Sequence, residues 1–281
     1  MTVRLRVAHS PDSDDAFMFY ALASGKIATP GRAYVHELAD IETLNRRALA
    51  GELEITAVSF HAYAYLHDRY ILLPHGASIG DGYGPRLVSR EAAPPDPHAA
   101  LRGRTVAIPG ERTTATLALK LFRPDVTTMV VPFDLIEDAV LEGKADVGLL
   151  IHEGQLTYAD RGLALWQDLG AWWKSRTGLP LPLGGNVVRK DLGATLIHEI
   201  SRDLRASIVY GLRHRAEALA HAGQYARGMD AGRTDTFVGM YVNDFTVDYG
   251  DTGRRAVQRL LDDAFAQRVI PNAVRAAFVD D

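Results

Sequence analysis

Ala145-Asp-Val-Gly-Leu-Leu-Ile-His-Glu153 places an apolar run, Val147 to Ile151, directly ahead of a histidine and a glutamate. A run this short, bounded by polar residues, predicts a buried strand of an α/β sheet. Ligands of open α/β sheets bind beyond the carboxyl ends of their strands. His152 therefore stands where chemistry is expected, and imidazole is the side chain best suited to proton transfer near neutral pH. The plain alternative is a hydrogen-bonded histidine that closes a strand.

The same grammar extends on both sides of this stretch. Upstream, Thr105–Ile108 and Val126–Val131 read as strands, and helices follow through Phe122 and over Phe133–Glu142. Downstream, Leu163–Leu169 reads as a strand and Ala171–Gly178 as a short helix. Leu179-Pro-Leu-Pro-Leu-Gly-Gly185 resists both periods and is expected to cross the surface. Nearer the amino terminus, Val3–Val7, Tyr34–Leu38, Leu53–Val58 and Ile71–Leu73 suit strands separated by helices. Beyond Leu196 the chain turns helical, with Ile197, Ile200, Leu204 and Ile208 at helical spacing. A final amphipathic helix, Gly253–Gln267, is expected to turn Ala256, Leu260, Leu261 and Phe265 inward.

The middle region thus carries its own strands and helices, bracketed by extended stretches at Arg86–Arg90 and Leu183–Val188. That pattern predicts an α/β fold of two lobes: residues 1–88 with 188–281 form one, and 89–187 form the other as an insertion. The cleft between such lobes is the natural ligand site, and hinge closure around the ligand is expected.

Composition narrows the function classes. A hydrophobic fraction of 47% suits a globular chain of 281 residues with a sizeable core. The net charge of −4 gives no basic field for a nucleic-acid partner. With no cysteine, disulfides and thiolate chemistry are excluded. No run approaches a membrane span, and the start of the chain lacks the apolar core of a secretory signal, so a cytoplasmic protein is expected. A homodimer is compatible with the sequence.

Several residues are candidates for a ligand cradle. Ser10, Ser59, Thr113, Thr114 and Ala115 come from three expected helix amino termini, whose N–H groups can hold a carboxylate or hydroxyls. Alternatively these side chains merely cap helices, and Ser13, Asp14 or Asp15 would do so for the first one. Arg112 either pairs a substrate carboxylate or is solvated. Trp172 and Trp173 either stack on an aromatic ligand or divide between core and lid. Gly76–Gly84 holds four glycines in nine residues, but no Walker or Rossmann pattern, so no nucleotide cofactor is expected. Ser59 lacks the Gly-x-Ser-x-Gly setting of a hydrolase nucleophile. His61 and His67, six residues apart, do not share a helix face, and no metal is expected.

Asp40-Ile-Glu-Thr-Leu-Asn45, Pro109-Gly-Glu-Arg-Thr-Thr-Ala115, Gly148-Leu-Leu-Ile-His-Glu153, Asp168-Leu-Gly-Ala-Trp-Trp173, Thr177-Gly-Leu-Pro-Leu-Pro-Leu-Gly184 and Tyr241-Val-Asn243 carry a resemblance over nearly the whole chain. The chain resembles the 1,4-dihydroxy-6-naphthoate synthases of the futalosine route to menaquinone. The resemblance implies a periplasmic-binding-protein type II architecture. It also implies cofactor-free cleavage of cyclic dehypoxanthinyl futalosine, with His152 as general base and Thr114 and Ala115 at the ligand. Asp15, retained in the first loop, and Gly184, which ends a matching stretch, complete the substrate-binding set. Where the family usually reads Ser-Pro-Cys-Pro-Asn-Asp-Thr-Phe, this chain reads Ser10-Pro-Asp-Ser-Asp-Asp-Ala-Phe17, with two added carboxylates. The loop change is consistent with a divergent branch acting on a related substrate, or with binding without catalysis. If His152 were structural, the base would be sought among Asp12, Asp14 and Asp15. A solute-binding protein for a small carboxylate shares the expected fold and is the competing class. The sister enzyme chorismate dehydratase shares it too, but the Ile-His-Glu stretch argues against that reaction.

Overall fold

The computed structural model describes residues 2–226 and 229–279. Its strands form two separate sheets. β1 (Val3–His9), β2 (Arg32–Leu38), β3 (Ile55–Ser59), β4 (Tyr70–Leu72) and β5 (Ser78–Gly80) belong to the first. The second holds β6 (Arg86–Ser89), β7 (Thr105–Ile108), β8 (Thr127–Val130), β9 (Val147–Leu150) and β10 (Ala164–Asp168). β11 (Leu181–Arg189) then returns to the first sheet. The orders are β2-β1-β3-β11-β4, with β5 also paired to β11, and β10-β6-β9-β7-β8. This is a two-lobed α/β architecture with a cleft between the lobes.

Strand direction sets what meets at the cleft. β1 runs parallel to β2 and β3, so Ser10 and Ser59 emerge at one edge. β11 runs antiparallel to β3 and sets Gly184 opposite Ser59. In the second sheet β7 and β9 are parallel, and their carboxyl ends lead into Pro109 and Ile151. Every residue of β9 is buried, as a strand covered on both faces requires.

The Leu179–Gly185 segment departs from its expected surface course. Residues 181–189 form a buried strand paired on both sides. Its prolines are tolerated because Pro182 sits where the register against β5 slips, between Pro182 and Gly184. A bulge does not need the N–H that proline lacks. Further on, a short helix, Asp244–Val247, is started by the Asn243 side chain accepting the Phe245 N–H at 3.0 Å. Phe265 also departs: it is 43% exposed, because it lies beyond the stripe defined by Ala256, Val257, Leu260, Leu261 and Ala264.

One apolar cluster joins the two lobes at the back of the cleft. It contains Val58, Phe60 and Val187 from around the first sheet, and Leu87, Val106, Leu117 and Trp173 from around the second. The helix Ala194–Arg213 covers the outer side of the first sheet with Ile197, Ile200, Leu204 and Ile208, at the spacing that predicted it. Arg32 ties that helix to edge strand β2 through Asp203 at 2.7 Å and Glu199 at 2.8 Å. The Tyr34 hydroxyl donates to the same Asp203 carboxylate at 2.6 Å. Among the described residues, no helix is long and apolar enough to cross a membrane.

Candidate active site

The cleft encloses a cavity of about 750 Å³, counting the part open to solvent. That is a usual size for a small-molecule site. Ser10, Asp15, Ser59, Thr113, Thr114, Ala115 and Gly184 come together on its wall. They arrive from the ends of β1, β3 and β7 and from the start of β11.

The three helix starts differ in how they use these residues. Thr113 caps the helix Thr114–Phe122, accepting the Thr116 N–H at 3.2 Å. The first-turn N–H groups of Thr114 and Ala115 have no intrahelical acceptor, and both residues line the cavity. Ser59 precedes a single helical turn and makes no capping bond with its side chain. Its hydroxyl instead accepts the Asn45 amide at 3.2 Å, while its N–H donates to Asn45 Oδ1 at 2.9 Å. At the first helix, Ser13–Ala23, Asp12 holds the cap position without a side-chain cap. None of Ser13, Asp14 and Asp15 is the cap, since all three lie inside the helix.

The loop before that helix is held by two carboxylates. Asp15 accepts the Ser10 N–H at 2.7 Å, and Asp12 accepts the Ser10 hydroxyl at 3.0 Å. Burial raises the Asp15 carboxyl to about 6, against the pull of the Ser10 hydrogen bonds. Burial and the charges of Asp15, Asp12 and Glu153 raise Asp14 well above the usual carboxylate range. No Lys, Arg or His is among the lining residues, and the carboxyl groups of the cavity wall are those of Asp12, Asp14 and Asp15.

His152 is not among the lining residues, although Ile151 beside it is. The imidazole is buried, with its edge against the Phe133 ring at 4.9 Å between centroids. Nδ1 accepts the Gly154 N–H at 3.1 Å, and Nε2 lies 2.8 Å from the Phe133 carbonyl. These partners assign the Nε2–H tautomer, with the Nδ1 lone pair engaged by the backbone. Glu153 Oε2 comes within 3.8 Å of Nδ1. Strand alternation would send Glu153 to the opposite face, but β9 ends at Leu150 and the chain has already entered a turn. That turn is anchored from behind, since Arg86 donates to the Gln155 carbonyl.

Other candidates fall away from the cavity. The Arg112 guanidinium stacks over the Tyr65 ring at 3.8 Å. Trp173 is wholly buried and Trp172 packs edge-on against Phe122. Among the described residues, no group of three or more His, Asp or Glu is placed to hold a metal ion. Ser78, Phe237 and Tyr241 line the cavity without having been singled out as ligand residues. Tyr241 reaches across the cleft, its hydroxyl donating to Gln155 Oε1 at 2.6 Å. The Tyr241-Val-Asn243 match was the one sequence signal for it.

Buried histidines govern the expected response to acid. His9 is lowered to about 3, and His36 and His61 to about 4, chiefly by burial. Each contributes stability that is present above the ordinary histidine value and lost as pH falls towards these values. Asp14 and Asp15 act oppositely, gaining stability on protonation below about 6 in the case of Asp15. His221 is also lowered, and Glu42 and Asp168 are also raised, all chiefly by burial. The three histidines lowered to about 3–4 decide the balance, so the melting temperature should fall from pH 6.5 to 4. A melting temperature that rises over that range would show the carboxyls to dominate.

Comparison with known proteins adds a family and two kinds of neighbour. A family model described as menaquinone biosynthesis matches residues 5–266. A 1,4-dihydroxy-6-naphthoate synthase of Thermus thermophilus is 42% identical over 98% of this chain and 99% of its own length. Its namesake from Streptomyces coelicolor is 38% identical over 95% of each chain. A crystal structure of an Archaeoglobus fulgidus protein superposes with a TM-score of 0.90 at 46% identity, covering 95% of this chain and 98% of that one. An alkanesulfonate-binding protein of Xanthomonas axonopodis shares the fold at a TM-score of 0.72 and 12% identity, covering 97% and 96%.

Proposed function

Given that the chain belongs to the menaquinone-biosynthesis family of the 1,4-dihydroxy-6-naphthoate synthases, we propose that it is a cofactor-free carbon–carbon lyase. Its substrate in this reading is cyclic dehypoxanthinyl futalosine, cleaved to 1,4-dihydroxy-6-naphthoate in the interlobe cavity. The observation that carries the reading is the pairing of 38–42% identity over nearly the full length with an interlobe cavity of small-molecule size. The Thr114 and Ala115 N–H groups at a helix amino terminus, with the Ser59 hydroxyl beside them, suit the substrate carboxylate. His152 is the proposed general base. It would take a proton from the substrate at Nδ1 and so start the carbon–carbon cleavage, in which the ribose-derived portion leaves and the aromatic dihydroxynaphthoate remains. For that, substrate has to displace the Gly154 N–H from Nδ1, a small opening of the 152–155 turn. Catalytic hydrogen bonds commonly form only once substrate is bound. The reading places the enzyme in the cytoplasm.

A second reading is a solute-binding protein for a small carboxylate, favoured by the likeness to the alkanesulfonate-binding fold. One experiment separates the two. Purified protein incubated with the cyclic futalosine derivative should release dihydroxynaphthoate without added metal or coenzyme. Saturable binding with no product over many enzyme equivalents of time would favour the binding protein.

A further inference from the structure

Among the carboxylates of the Ser10–Asp15 loop, the hydrogen bonds divide the labour unequally. Asp15 is committed to the Ser10 N–H and Asp12 to the Ser10 hydroxyl. Both therefore shape the loop. Asp14 makes no bond to Ser10: it lines the cavity, and its carboxyl accepts the Asp15 backbone N–H and, at a long 3.5 Å, the Ser78 hydroxyl. Ser78 and Tyr241, from other elements, line the same cavity. We propose that Asp14 is a substrate-binding, specificity-determining residue, giving a hydrogen bond to a hydroxyl or carbonyl oxygen of the substrate. This rests on the lyase reading above.

To donate, Asp14 must carry its proton, and its surroundings favour that form. It is buried, and the charged groups facing it are the carboxylates of Asp12 and Asp15 from its own loop and helix and of Glu153 from across the cleft. Tyr241 adds a phenol whose own ionisation burial opposes. No cation is among the lining residues, and the one interaction that favours an Asp14 carboxylate, the Asp15 backbone N–H, is outweighed by burial and the neighbouring carboxylates. A negative charge at this point would also repel a carboxylate-bearing substrate. A protonated aspartic acid instead offers one donor and one acceptor, much as an asparagine amide does. A protonatable Asp14 thus makes the hydrogen-bonding character of the wall pH-sensitive.

The test compares Asp14→Asn, Asp14→Leu and the wild type with cyclic dehypoxanthinyl futalosine, across pH. Asp14→Asn should keep kcat/KM within a few-fold. Asp14→Leu, which cannot donate, should lose about 10–100-fold. Wild-type kcat/KM should fall as pH rises and Asp14 loses its proton, with a limb that Asp14→Asn lacks. An infrared difference spectrum on binding dihydroxynaphthoate should shift a protonated-carboxyl band, absent from Asp14→Asn. Full activity of a folded Asp14→Leu, or the same limb persisting in Asp14→Asn, overturns the role of Asp14 while leaving the lyase standing. A wild type that makes no product overturns both. If Asp14→Leu fails to fold, that limb and the infrared band still decide.

Discussion

Replacing His152 by Asn should lower turnover of cyclic dehypoxanthinyl futalosine by about 10²–10⁴-fold, the usual worth of a positioned general base. The fold should survive. Asn can keep a hydrogen bond in place of the ring, and the 152–155 turn remains anchored by Arg86 on the Gln155 carbonyl. Binding of dihydroxynaphthoate should change little, because the imidazole does not line the cavity in this structure. A loss confined to kcat, with ligand affinity and melting temperature preserved, is the pattern of a group that acts in the transition state. The stakes lie in the geometry. Both ring nitrogens are engaged, by Gly154 and Phe133, and that arrangement is also what a purely structural histidine would show. If His152→Asn turns over within tenfold of wild type, the imidazole is a strap for the turn and the base lies elsewhere on the cavity wall.

Trp173→Ala should cost about 3–5 kcal/mol of stability, the range for deleting a large buried aromatic side chain. Trp173 is fully buried in the cluster that joins the two lobes, and its indole N–H donates to the Pro180 carbonyl at 3.1 Å. Truncation leaves a cavity and an acceptor without its donor at the point where the chain turns back towards β11. Its neighbour supplies the control. Trp172 is only partly buried, so Trp172→Ala should cost about 1–2 kcal/mol through lost apolar area alone. Denaturant midpoints at constant slope measure both. If the two variants were equally destabilised, or Trp173→Ala cost less than about 1 kcal/mol, the shared cluster would not be what holds the lobes together.

Legibility differed from one element to the next for physical reasons. β9 could be read because a strand buried on both faces is an unbroken apolar run, and Val147–Leu150 is one. The long helix Ala194–Arg213 could be read because its apolar residues repeat at helical spacing. Leu181–Arg189 could not. Its proline and paired glycines disfavour a regular strand locally, and only pairing with β3 and β5, around a bulge, makes it one. Phe265 was misplaced because periodicity gives the direction of an apolar stripe better than its edge.

By itself the sequence determined the alternation of strands and helices, the placing of His152 at a strand end, and the polar loops that supply the cavity wall. These follow from local rules: the period of apolar residues and the chemistry of turns and caps. Tertiary structure alone decided which way those side chains face. It turned the His152 ring towards Phe133, brought Tyr241 from the carboxyl-terminal helices onto Gln155, and committed Asp12 and Asp15 to Ser10 while leaving Asp14 on the cavity wall. Each of these is a choice among partners brought close by the folded chain, several of them distant in sequence. Hydrogen bonding is short-ranged and directional, so no periodicity along the chain could encode it.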